Sequence, residues 1–302
     1  MSTENTVAIK YTFSGHDSFL CKQFWLKKGY DFVCQKENSF HDEKAVVKLG
    51  VGKNMVSAVH YWLKGFGIIN ATNEPTPIGR YIFDEKKGKD KYIENIATVW
   101  LLHYLLVSNN HSSLYNIFFN EFRRQRIEFS REHLLAFLLK RLKEDDISLS
   151  ANTISSDIAV FIRTYIKPSS KTTREGIEED FSSVLVDLQL MEQIDGRDYN
   201  GEKVDYFKIE SGLRYDLPSS LLLFTILDAR PDSKSISFKE LHIGKNMPGS
   251  VFAMSKEGLF AKLEQIKKDY KADGVTFSES AGIQELQFKK PLNKMEVLND
   301  CY

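Results

Sequence analysis

A chain of 302 residues with 42% hydrophobic and 27% charged residues can bury a sizeable core under an ordinary polar surface, which excludes a disordered or membrane-embedded class. Its 41 basic and 41 acidic side chains cancel, so it is not a globally basic nucleic-acid binder, although a local basic face is still allowed. The opening MSTENTVAIKYTF lacks the apolar stretch of a secretory signal, and the most apolar run, 99–107, is interrupted by His103 and too short for a bilayer. Three cysteines without metal spacing (Cys21, Cys34, Cys301) read as reduced thiols, so a cytoplasmic protein with no membrane partner is expected.

In chain order, residues 7–13 alternate as a short strand, and Ser14-Gly15 turns. Apolar spacing predicts a helix over 19–28 stopped by Gly29, a second over 42–49 and a third over 53–66. Ile68-Ile69 and NATNEPTPIG then read as a strand and an exposed turn or wing. Past the charged loop DEKKGKDK, helices are predicted over 93–107, 114–124, 131–144 and 153–166. Residues 168–177, polar and breaker-rich, form the expected linker. Beyond it the pattern gives a helix over 178–190, a hairpin of 191–194 with 204–209, helices over 218–229 and 255–270, and strands at 274–278 and 283–288.

The expected fold class is mainly α (α+β). It comprises an N-terminal winged helix-turn-helix domain (1–90), a helical middle bundle (91–167) with a second helix-turn-helix-like pair, and a C-terminal domain of helices and short strands (178–302).

The stretch VKLGVGKNM, 47–55, holds a Gly-x-Gly-Lys that invites a nucleotide-loop reading. That loop needs G-x-x-x-x-G-K-[ST] after a strand. Here Val47 stands where the first glycine belongs, Asn54 follows the lysine, and the preceding segment is helical, so the reading fails. A helix-turn-helix fits better: Ala45 is small, Gly50 supplies the turn, Leu49 and Val51 flank it, and Val56 and Val59 face back. The opposite face of the third helix carries Lys53, Asn54, Ser57, His60, Tyr61 and Lys64, with no acid between Glu43 and Glu74. Hydrogen-bond donors and cations at a helix amino end suit phosphate contacts and base-edge readout. These residues, with Arg80 beyond the wing, are the candidate contacts to double-stranded DNA; a solvated face in a purely structural unit is the alternative. The similar IGKNM at 243–247 runs straight into Pro248-Gly249 and reads as a chance echo.

Two clusters near this motif could carry chemistry: His16 and Asp17 in SGHDSF, and His41, Asp42 and Glu43 in FHDEK. A metal-dependent phosphodiesterase needs carboxylates that hold the ion and position water, for which Asp17 and Asp42 are the candidate metal ligands. The competing reading makes Asp17 a helix cap, Asp42 and Glu43 favourable charges in a first helical turn, and His16 a satisfied structural imidazole.

FSGHDSF, WLKKGYD, KLGVGKNMVSAVHYWL, TPIGRYIF, IATVWLLHYLL, DIAVFIRTY and PGSVF occur in order along nearly the whole chain. Together they resemble the SspB-like family, bacterial proteins long labelled a domain of unknown function and encoded beside PAPS-reductase-like proteins in DNA sulfur-modification loci. The resemblance implies a component of a DNA phosphorothioation defence system, working with a cysteine desulfurase, an ATPase and a PAPS-reductase-like sulfur-transfer enzyme. It also implies a DNA-nicking role, with Mg2+ or Mn2+ as cofactor. The alternative is a non-catalytic DNA-binding adaptor or transcriptional regulator that recruits the sulfur-transfer enzymes. A homodimer is left open.

Overall fold

The computed structural model describes residues 11–109, 111–166, 183–197, 200–280 and 282–302. The fold is mainly helical with two small antiparallel sheets, an α+β arrangement. Helices α1 (Trp25–Cys34), α2 (Lys44–Leu49), α3 (Lys53–Gly65) and α4 (Pro77–Phe83) make the amino-terminal part. There α1 begins six residues later than 19–28 and runs through Gly29 rather than stopping there. A Cβ at Gly29 would lie 2.6 Å from Leu63 Cδ1 and 2.8 Å from Val59 Cγ1, so the glycine lets α1 and α3 touch. The linker 168–177 and the expected strand residues 7–10 lie outside the described residues, as does the start of the expected helix 178–190. Of the rest of that helix only a single turn, Val186–Leu188, is present.

The middle of the chain is α5 (Ile96–Ser108), α6 (Ser113–Ile117), a π-helical turn (Phe118–Phe122), α7 (Arg123–Gln125), β1 (Glu128–Phe129), α8 (Arg131–Glu144) and α9 (Ala151–Tyr165). Helix α5 is apolar all round and sits in the interior, as such a composition requires. Within it His103 is fully buried: Nδ1 lies 3.0 Å from Tyr165 Oη and Nε2 2.8 Å from the Val251 carbonyl. Burial pushes its pKa down to about 4, so it stays a neutral core histidine. Helix α8 starts from Ser130, whose hydroxyl accepts from His133 N–H while His133 Nδ1 accepts from Ser130 N–H, a reciprocal cap.

Strands β2 (Glu192–Arg197) and β3 (Lys203–Lys208) form the expected hairpin. Strand β1, too short to show a period in sequence, pairs with the far side of β3, placing Phe129 opposite Phe207. The carboxy-terminal part is α10 (Ser219–Ala229), β4 (Ser235–Ser237), α11 (Phe238–Ile243), α12 (Pro248–Val251), α13 (Lys256–Asp269), β5 (Val275–Ser280), β6 (Ile283–Phe288) and α14 (Lys294–Asn299), with sheet order β4-β6-β5. One contiguous hydrophobic core runs from Cys21 to Leu298, with Trp62, Trp100, Tyr104 and Phe118 among its fully buried members.

The echo of 51–55 at 243–247 has a separate cause. Asn246, left-handed at φ 59°, accepts from Asn116 and Asn120, and its N–H donates to Asn120, which anchors the turn before Pro248 opens α12. Among the described residues no helix is long and apolar enough to cross a membrane.

Candidate nucleic-acid interface

Helix α2 ends at Gly50, which is left-handed (φ 59°) and sends its N–H back to Val46 and Val47. Gly52, extended at φ −64°, stands at the N-cap position of α3 and supplies no side-chain cap. Ala45, Leu49 and Val56 pack on Phe32 of α1, so the two short helices share a small apolar core across the turn. The two glycines therefore differ. Gly50→Ala forces a side chain into the left-handed region and is expected to lose about 1–2 kcal/mol of stability. Gly52→Ala meets no atom within 4 Å at an ordinary φ and should shift stability by no more than about 0.5 kcal/mol. Urea unfolding of the two variants checks the contrast.

Lys53, Asn54 and Ser57 are exposed on the first turns of α3, where no acidic residue sits and no side chain caps the helix. The amino-terminal N–H groups and the helix dipole thus face outward beside a cation, a suitable seat for an anion. His60 and Lys64 are half-buried farther along the same helix. His60 Nε2 meets Asn73 Oδ1 at 2.7 Å, and its ring stacks on Phe40 with 4.3 Å between centroids. The contact fastens α3 to a tight turn, 69–75, closed by a bridge between Ile69 and Pro75 and by Asn70 N–H to Glu74 O. His41 stands edge-on to His60 at 6.2 Å. Burial holds the His60 pKa below the usual histidine range against the Asn73 bond, and Lys64 and His41 add to the depression.

Tyr61 departs from the expected solvent-facing set. It is 7% exposed, its hydroxyl accepts from Ser112 at 2.8 Å, and its ring lies where a Cβ on Gly15 would come within 2.3 Å. The apolar face of α3 is wider than one stripe because the 11–19 segment covers Tyr61 and Trp62 together, with His16 edge-on to Tyr61 at 5.4 Å. Arg80 is exposed on α4, whose first turn is capped by Thr76. The expected wing is therefore a turn followed at once by a helix.

His16 is a buried bracket: its Nε2 is 3.3 Å from Asp157 Oδ1, its Nδ1 accepts from Ser18 N–H at 3.2 Å, and its ring stacks on Trp62. Asp157, 5% exposed, also accepts from Ser14 N–H at 3.0 Å on each oxygen. Ser14, Asp17 and Ser18 are all left-handed, with φ 60°, 46° and 64°. A non-glycine residue held there is strained by roughly 1–2 kcal/mol, so three in five residues persist only because the surroundings hold them. The holders are Asp157 on Ser14, Arg163 donating to Ser18 O at 2.8 Å, and Ser156 Oγ at 2.9 Å from Ser18 Oγ.

Residues Ser156, Asp157 and Arg163 of α9 thus clamp the 14–18 loop. Asp157 is turned inward because it shares the phase of Ile154, Ile158 and Phe161.

Asp17 is exposed at the tip of that loop and makes no hydrogen bond or ion pair among the described residues. Asp42 Oδ1 accepts from Lys44 N–H at 2.9 Å and Glu43 precedes the first residue of α2, so both exposed carboxylates stand just ahead of the first turn rather than in it as expected. Among the described residues no three His, Cys, Asp or Glu side chains converge as a metal-holding group.

No curated protein matches the chain. A magnesium ion-bound crystal structure of SspB superposes with a TM-score of 0.82 at 25% identity, covering 97% of this chain and 87% of that one. A second SspB crystal structure gives 0.79 at 24% identity, over 97% of this chain and 87% of its own, a likeness of fold alone. The family model described as "Protein of unknown function (DUF4007)" matches residues 13–302. With an SspB-like fold and that match over nearly its full length, the chain belongs to the DUF4007 family.

Proposed function

We propose that this protein is a DNA-binding component of a bacterial DNA phosphorothioation system, gripping duplex DNA through α3 and the 69–80 segment as a winged helix-turn-helix. The observation that carries the reading is the amino end of α3: Lys53, Asn54 and Ser57 exposed around uncapped N–H groups, with no acid in the first turn. The likeness to SspB supports the pathway, and a PAPS-reductase-like sulfur-transfer enzyme, an ATPase and a cysteine desulfurase of the same system are the proposed partners.

We further propose that it nicks one strand with Mg2+ or Mn2+, a reading supported by the magnesium ion bound in SspB. Magnesium is commonly held by one or two carboxylates together with substrate phosphates, and Asp17 is an exposed donor of that kind. Asp42 is the second candidate, although one of its oxygens is engaged by Lys44 N–H. When bound, the ion would polarise a phosphoryl oxygen. The contribution of this chain is to hold Asp17 rigidly, through the bracket that fixes the residues on either side of it. His16, buried against Asp157, acts as a positioning residue in this scheme.

Plasmid relaxation in Mg2+ or Mn2+ tests the proposal. Nicking by the wild type, lost in Asp17→Ala and reduced in Asp42→Ala, is the expected result. Clean protein that binds DNA and never nicks leaves the adaptor reading in its place.

A further inference from the structure

A second site stands on arginines that the recognition helix does not use. Arg123, 8% exposed, donates from Nη1 to Ser211 Oγ at 3.1 Å and from Nη2 to Gly249 O at 3.2 Å. Its Nε is the one buried side-chain polar atom without a partner among the described residues. The charges felt by this guanidinium are Arg214 and Arg124, both cations, and burial followed by these two pushes its pKa down to about 10. It therefore remains charged at neutral pH with no carboxylate to balance it, an arrangement that is unfavourable unless compensated.

Arg124 donates to Ile243 O and, at 3.1 Å, to Ser250 Oγ. Arg214, itself left-handed at φ 52°, donates to Phe252 O at 2.9 Å and to Ala253 O at 3.1 Å. Three guanidiniums thus converge on the segment 243–253. The π-helical turn immediately before Arg123 is an independent sign, because inserting one residue into the helical register is unfavourable and such turns concentrate at functional sites.

Beside this cluster opens a cleft of about 580 Å3 lined by Arg124, Arg126, Ile127, Glu128, Lys208 and Glu210. Lys208 sits between the two acids, ion-paired to Glu210 and 3.9 Å from Glu128. That leaves the two arginines to set the sign of the cleft. Arg126 faces His133, with Nη1 3.3 Å from Nδ1, and no carboxylate pairs with it among the described residues. The acid nearest in effect to Arg124 is Glu121, which is held by Arg141 at 2.9 Å.

We propose that this cleft binds a phosphate group, gripped by Arg124 and Arg126, with the uncompensated charge of Arg123 adjoining Arg124. Arginine forks suit phosphate oxygens, and an anion there would offset the buried charge that the protein leaves unbalanced. The site is built from α7, β1 and β3, apart from α3, and does not depend on α3 binding DNA.

The phosphate could be carried by a free nucleotide or by a nucleic-acid strand, and two arms separate the sources. Thermal unfolding with sodium pyrophosphate, against sodium chloride of equal ionic strength, should raise the midpoint by about 5 °C at a hundredfold excess over Kd. The rise should vanish in Arg124→Gln/Arg126→Gln, both exposed positions, and persist in Lys53→Glu. A twelve-nucleotide single strand that displaces pyrophosphate assigns the phosphate to a nucleic acid; a strand that does not assigns it to a free ligand. An equal rise in wild type and the double variant, or no rise with pyrophosphate, overturns the proposal.

Discussion

Asp157→Ala is expected to lower stability by about 3–5 kcal/mol, the largest effect of any single substitution outside the apolar core. The change removes the acceptor of Ser14 N–H and the partner of the buried His16 Nε2. It also releases a loop whose left-handed residues rely on that carboxylate. Asp157→Asn keeps one oxygen for Ser14 and should lose roughly half as much. The measurement is the urea midpoint of the three proteins at pH 7. An alanine variant that unfolds with the wild type would mean that the His16 bracket does not hold this loop.

The second large effect falls on binding. Lys53→Glu with Lys64→Glu should weaken duplex affinity by roughly 10²-fold near physiological salt. It should also reduce the slope of log K against log salt by about 1.8, since each lysine removed from a phosphate takes about 0.9 with it. Lys53 is exposed and Lys64 half-buried, so neither change opens the core. Tyr61→Phe is the matched control. It deletes a buried hydroxyl bonded to Ser112, and should lose about 1 kcal/mol of stability while leaving the salt slope unchanged. Fluorescence anisotropy of a labelled duplex across a salt series reads both quantities.

Much of the helical framework was legible because it rests on local periodicity. α3, α8, α10 and α13 fall within about two residues of the expected spans. The failures have nameable causes. Gly29 has the local signature of a stop, yet its role is set by two residues thirty or more positions away in α3. Strand β1 has two residues and exists only because β3 offers it an edge. Residues 77–79 read as the end of an exposed wing, whereas they open α4: Pro at the first position of a helix is favourable and Thr76 caps it.

At the site, the exposed face of α3 follows from its phase, and Tyr61 fails because two segments distant in sequence cover it. His16 is a catalytic candidate from sequence, and only the fold reveals Asp157 as its partner. The arginine cluster left no signal, since Arg123 and Arg214 are 91 positions apart and meet on the same short segment.

Lysine acetylation footprinting tests the central claim most directly, by comparing labelling rates with and without saturating duplex. If α3 is the recognition helix, Lys53 and Lys64 become protected while Lys256 and Lys290, on the carboxy-terminal part, keep their rates. Labelling of Lys53 and Lys64 at the same rate with and without bound duplex would contradict the account.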